Sequence, residues 1–107
     1  MIEKDLQENV IELAHLFRWR VAHFRPAMTK HGWVTPVAAD GKGWPDMVFV
    51  RERIVFAELK SEKGKLKPEQ EDWRDALLAA GAEWHLWKPE QWEDGTIEQV
   101  LRLRKNA

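Results

Sequence analysis

The 107-residue chain contains no cysteine. This excludes a disulfide framework and a thiolate zinc site, and it fits a reducing cytoplasm. It also lacks any apolar run approaching the roughly 20 residues of a membrane span. Its start has nothing signal-like, because Glu3, Lys4 and Asp5 come at once. The expectation is an unprocessed, intracellular, cytoplasmic protein with no membrane partner. No linker-like stretch divides the chain, so residues 1–107 read as one domain. With 44% hydrophobic residues, that domain can build a core without metal or disulfide staples. Charge of one sign is not in excess either. The formal net charge is −1, so the molecule as a whole does not advertise a polyanion partner.

The charge it does carry is unevenly spread. From Phe17 to Gly43 the bases Arg18, Arg20, Arg25, Lys30 and Lys42 face a single acid, Asp40. From Glu69 to Glu98 nine acids face only Arg74 and Lys88. Such a molecule can bind nucleic acid with one face and stay soluble through the other. The plainer reading, preferred for the acidic half, is a set of solvated helix and loop faces. The seven tryptophans are expected mostly in packing roles. One or two could stack on nucleobases, but nothing in the sequence singles them out.

Residues 2–17 read as an amphipathic helix with Leu6, Val10, Leu13, Ala14 and Phe17 on one stripe. At 100° per residue Glu3 falls within about 40° of the stripe's centre, and Glu8 lies nearly opposite. On its own, Glu3 is a first-turn acid favoured by the helix dipole. Residues 20–24 suggest a short strand. Residues 26–42, broken by Pro26, Gly32, Pro36 and Gly41, read as a long loop. At that length a loop is usually functional or mobile. Residues 47–50 and 54–59 read as two strands joined by Arg51-Glu52-Arg53. Pro68 opens a helix whose stripe is Trp73, Ala76, Leu77 and Ala80, with Gly81 as its stop. Gln70 extends that stripe inward by one turn. Residues 84–87 suggest a last strand, followed by a turn or short helix from Pro89 and a helix over 97–103. The tetrapeptide "KPEQ" occurs at 67–70 and at 88–91, at two helix starts, but the flanks differ and no repeat is implied. The order α-β-β-β-α-β with a final helix gives an α/β or α+β fold built on a single sheet.

The stretch "GWPDMVFVRERIVFAELK", residues 43–60, places Asp46 at the mouth of one apolar strand and Glu58 and Lys60 at the end of the next. Alternation projects Glu58 and Lys60 from one face. A turn centred on Glu52 sets Asp46 directly opposite Glu58, with Cβ atoms roughly 5 Å apart. A two-residue turn would set it opposite Leu59 instead. Two carboxylates so close repel, and one would take up a proton unless a cation intervened. Mg²⁺ needs only one or two carboxylates plus waters and a substrate phosphate. Lys60 beside it could hold the attacking water or offset charge on a phosphate oxygen. Taken singly, Asp46 begins a turn after Pro45 and Glu58 pairs with Lys60 at a sheet edge. The three together on one hairpin point to a site.

"GWPD", the Glu of "ELK" twelve residues on and Gln70 on the next helix resemble the PD-(D/E)XK nuclease superfamily. Within it, "GWPDMVFV", "FAELKSEKGKLKPEQ" and "GAEWHLWKPEQW" look like a stand-alone VRR-NUC domain of the small phage and bacterial type. The resemblance spans nearly the whole chain, from the first helix to about Trp92. It implies a restriction-endonuclease-like fold with a mixed sheet flanked by helices. It also implies Mg²⁺- or Mn²⁺-dependent hydrolysis of phosphodiester bonds in DNA, with branched or Holliday-junction DNA as the substrate, and a homodimer. The family's metal-binding acids fall on Asp46 and Glu58, with the Leu59 carbonyl as a further ligand. Its catalytic lysine falls on Lys60 and its helix glutamine on Gln70. Its first-helix acid falls on Glu3 or Glu8, Glu3 agreeing with the helical wheel. Two departures are Lys67, where a Ser or Thr cap is expected before Pro68, and Arg18, where a Gly often ends the first helix. Candidate phosphate contacts are Arg25, Lys30, His31 and Lys42 in the long loop and Lys63, Lys65 and Lys67 after the second strand. His23 is either a core histidine or a neighbour of the site. The alternative function is a nucleic-acid-binding module of the same fold that has lost hydrolysis.

Overall fold

A computed structural model describes residues 1–24 and 26–105, apart from the side chain of Ala27. Arg25, one of the candidate phosphate contacts, therefore lies outside the described residues. The elements run α1 (Glu3–Leu16), β1 (Arg20–His23), β2 (Ala27–Thr29), β3 (Gly32–Val34), β4 (Met47–Val50), β5 (Ile54–Leu59), α2 (Pro68–Ala79), β6 (Glu83–Trp87), α3 (Pro89–Glu93) and α4 (Thr96–Arg102). The main sheet has the order β1-β4-β5-β6. Its first two pairings are antiparallel, and β5 pairs with β6 in parallel across the α2 crossover. The result is a mixed sheet flanked by helices.

Alternation along β4 and β5 divides the sheet's faces. Met47 and Phe49 share one face with Val55, Ala57 and Leu59, and all five are buried. Leu6, Val10 and Ala14 of α1, Ile97 and Leu101 of α4, Trp19 and Trp87 complete this core. The helical stripe expected on α1 is thus the stripe that packs. On the other face Trp44 packs edge-on against Phe56 of β5 and Trp73 of α2, with ring centroids 5.4 and 5.0 Å apart. This cluster seats α2. Among the described residues no helix is long and apolar enough to cross a membrane.

Residues 26–42, expected to be one loop, hold the separate antiparallel hairpin β2–β3. The Thr29 hydroxyl accepts from the His31 amide and donates to the Gly32 carbonyl, tying the turn. Met28, Trp33 and Val34 are all exposed, so these three-residue strands carry no buried alternation for sequence periodicity to reveal.

The two main helix ends solve one problem differently. After α2, Gly81 takes φ +84°; its amide bonds to the Leu78 carbonyl and that of Ala82 to Leu77. After α1 the same pair of bonds runs from Arg18 to His15 and from Trp19 to Ala14, but with Arg18 at φ +71°. An arginine thus occupies a left-handed position that favours glycine.

Candidate active site

The β4–β5 register fixes the geometry. Met47 pairs with Ala57 and Val50 with Ile54 around the 51–53 turn, which continues to Asp46 opposite Glu58. The one-residue alternative is excluded. Asp46 and Glu58 also hold each other's strands. The Asp46 amide donates to Glu58 Oε2 at 3.2 Å, and the Leu59 amide donates to Asp46 Oδ2 at 3.0 Å.

Glu58 is the only buried charged residue among the described residues, at 2% exposure. Burial first, and then the Asp46 charge, push its carboxyl up to about 8. Burial likewise raises Asp46, against the Leu59 amide and the Glu58 and Lys60 groups that favour its charged form. Lys60 faces both carboxyls and also Glu3, as the one cation that acts on all three. Glu3 is raised by burial and then by Asp46. It lines the cleft together with Gln7, one turn further along α1, whereas Glu8 is exposed. Of the two first-helix acids, only Glu3 reaches the site.

Gln70 bridges α2 to the carboxylates. Its Oε1 accepts from the Lys67 amide at 2.8 Å, and its Nε2 donates to Glu58 Oε1 at 2.9 Å. Glutamine at the third helical position thus supplies its own half of a capping box, the other half being missing because the Lys67 ammonium cannot accept, and its amide points into the site. The second "KPEQ" makes the same cap, from the Lys88 amide to Gln91 Oε1 at 2.9 Å. The tetrapeptide is a helix-start device, used once beside a carboxylate.

Gly43 is a residue that sequence reasoning passed over. It has φ +91°, and a Cβ there would lie 2.4 Å from the Glu69 carbonyl oxygen and 2.9 Å from the Gln70 amide nitrogen. Only glycine lets the "GWPD" turn lie against the first turn of α2 and set Gln70 over Glu58. Its place in the quoted motif was the signal, but the role needs the three-dimensional approach.

These groups sit in a cleft of about 580 Å³. One wall is α1 with Glu3, another is the start of α2, and a third is the β2–β3 hairpin and the segment after it. Leu59 lines it through its backbone, since its side chain is in the core. His23 lines it too and favours the charged form of Asp46, so it belongs to the site. Of the basic candidates, Lys42 and Lys67 line the cleft. Lys30 and His31 form the exposed hairpin turn, while Lys63 and Lys65 are exposed on the β5–α2 loop and do not line the cleft.

The donors suit a hard divalent cation. Two carboxylates at one point would suit the partial protein shell of Mg²⁺ or Mn²⁺, with water and phosphate completing it. Among the described residues no group of three or more His, Asp or Glu side chains converges, so an all-protein cage for zinc or calcium does not fit. No family model, curated protein or solved structure matches this chain.

Proposed function

We propose that this protein is a Mg²⁺- or Mn²⁺-dependent endonuclease that hydrolyses phosphodiester bonds in DNA, with branched or junction DNA as its substrate, on a restriction-endonuclease-like fold. The observation that carries this reading is the buried Glu58 carboxyl held against Asp46, with Lys60 beside them at the floor of an open cleft. A purely structural pair would be placed where its charge is neutralised. This pair is kept in a state that one divalent cation would relieve.

Asp46, Glu58 and the Leu59 carbonyl would hold the ion. Bound there, a divalent cation supplies Lewis acidity to a phosphate oxygen and lowers the pKa of a coordinated water. The chain's own groups do the rest. Lys60 offers an ammonium to charge that builds on the phosphate oxygens. Gln70 occupies Glu58 Oε1 with a hydrogen bond, fixing the carboxylate plane. Glu3, outside the ligand set, is placed to orient water entering the cleft. Lys42 and Lys67 supply sequence-independent phosphate attraction along the cleft walls.

The test is cleavage of duplex, single-stranded, flap and four-way-junction DNA by the purified chain, with Mg²⁺, with Mn²⁺ and with chelator. The expected result is metal-dependent cutting, strongest on a branched substrate. Tight junction binding without cutting in either metal would make the protein a binding module of the same architecture.

A further inference from the structure

Trp33 is the only exposed tryptophan of the seven, at 68%. The other indoles have packing partners or are at least half-covered; Trp19 lies under Arg51 and Trp44 among Phe24, Phe56 and Trp73. Trp33 stands directly across from Met28, itself 59% exposed, so the β2–β3 hairpin carries an apolar face left uncovered among the described residues. That hairpin is a wall of the cleft whose floor holds Asp46, Glu58 and Lys60, and Trp33 lines it.

Lysines flank this face, and the cleft it borders also carries the carboxylates Glu3, Asp46, Glu58 and Glu69. Lys30 and His31 make the hairpin turn, Lys42 lies between the hairpin and β4, and Lys67 stands on the opposite wall. A flat aromatic surface with Lys42 and Lys67 on the same cleft, whose floor we read as acting on phosphodiesters, has the parts of a single-strand nucleic-acid site. Cations follow the backbone there, and the ring takes a base. In a duplex the π-faces of the bases are used by their neighbours, so an indole can stack only on a base already out of the helix.

We propose that Trp33 is a stacking platform for an unpaired DNA nucleotide next to the scissile phosphate, and that it gives the protein its preference for unpaired over fully duplex DNA. The proposal rests on the DNA-cleavage reading above and narrows its substrate class.

The experiment measures binding of the full chain, in Ca²⁺, to labelled oligothymidylate and to a blunt duplex of the same length. It compares wild type, Trp33→Ala and Trp33→Phe, with gel filtration and thermal melting on each. For Trp33→Ala, affinity for oligothymidylate is expected to fall by about tenfold or more, the size of one lost stacked base. The ratio of single-strand to duplex affinity falls with it, and Trp33→Phe recovers most of the loss. Melting temperature stays close to wild type, because the side chain is exposed. An unchanged ratio in Trp33→Ala overturns the proposal. So does a dimer that Trp33→Ala converts to monomer with equal loss of both affinities, since the hairpin would then be a self-association surface. If wild type cuts DNA and the ratio does not move, only this inference fails. If wild type neither binds nor cuts any DNA with Mg²⁺ or Mn²⁺, the cleavage reading fails and takes this one with it.

Discussion

At one end of the β4–β5 hairpin, Arg51 and Arg53 meet acceptors; at the other, Asp46 and Glu58 meet each other. Arg51 donates to the carbonyls of Phe17 at 2.9 Å, Leu101 at 3.2 Å and Leu103 at 2.6 Å, and pairs with Glu52. Arg53 donates to Val100 at 2.6 Å, to Leu103 and to Glu83 at 3.0 Å. Both guanidiniums lie near the Trp19 ring, 4.3 and 5.0 Å from its centroid. These cations fasten the C-terminal ends of α1 and α4, where the helix dipole favours positive charge.

Two glutamates on adjacent strands report the difference. Burial pushes Glu83 up, but hydrogen bonds with His85 and Arg53 more than offset it and hold its carboxyl below the ordinary range. Glu58 has Gln70, an amide and a second carboxyl around it, and is driven the other way. The arginine end is satisfied within the chain. On the proposed reading, the carboxylate end is completed by a divalent cation.

The largest expected effect lies at the carboxylate end. Lys60→Ala and Glu58→Gln should each lower metal-dependent cleavage by about 100-fold or more, the scale of a lost transition-state donor or ligand. Circular dichroism should show the fold retained. Near-wild-type cutting by either variant would remove that residue from the role given to it.

At the arginine end, Arg51→Ala should leave the Phe17 carbonyl without its side-chain donor, remove one of two donors from the Leu101 and Leu103 carbonyls, and cost about 2–3 kcal/mol in denaturant unfolding. The intrinsic cleavage rate of the remaining folded protein should not change. A loss of rate without a loss of stability would dissolve the contrast between the two ends.

The contrast should also appear in pH. The unfolded chain releases the Glu58 proton near 4.5, and the metal-free folded protein near 8. Stability from the protonated form is therefore full below the first value and is lost as pH rises through the second. Asp46, raised as well, acts in the same sense. In chelator, the melting temperature should fall between about pH 5 and pH 8. Glu58→Gln should flatten that fall. A wild-type curve that rises over this interval would contradict the picture of a strained pair.

The smallest effect concerns the arginine end's neighbour. Arg18→Gly should stabilise the protein by about 0.5–1 kcal/mol, because glycine takes φ +71° without strain. Cleavage should be unaffected.

What could be read in advance follows from how local each cause is. The β4 and β5 boundaries were legible because two apolar runs flank a short charged turn, but their register stayed open by one residue until the pairing of Met47 with Ala57 decided it. Glu3 was legible from 3.6-residue periodicity, and Gln70 from its place one turn before Trp73. The β2–β3 hairpin was not, because Met28, Trp33 and Val34 face solvent and its strands are punctuated like a loop. Nor was the arginine latch, since its acceptors are backbone carbonyls about fifty positions away that carry no side-chain signal. His23 could be assigned to the site only once β1 was seen beside β4.

Calorimetric titration of Mn²⁺ into the chelator-free protein tests the carboxylate end most directly. Wild type should bind the ion, and Asp46→Asn should lose most of that affinity while keeping its fold. Absence of binding by wild type, or equal binding by Asp46→Asn, would contradict the account.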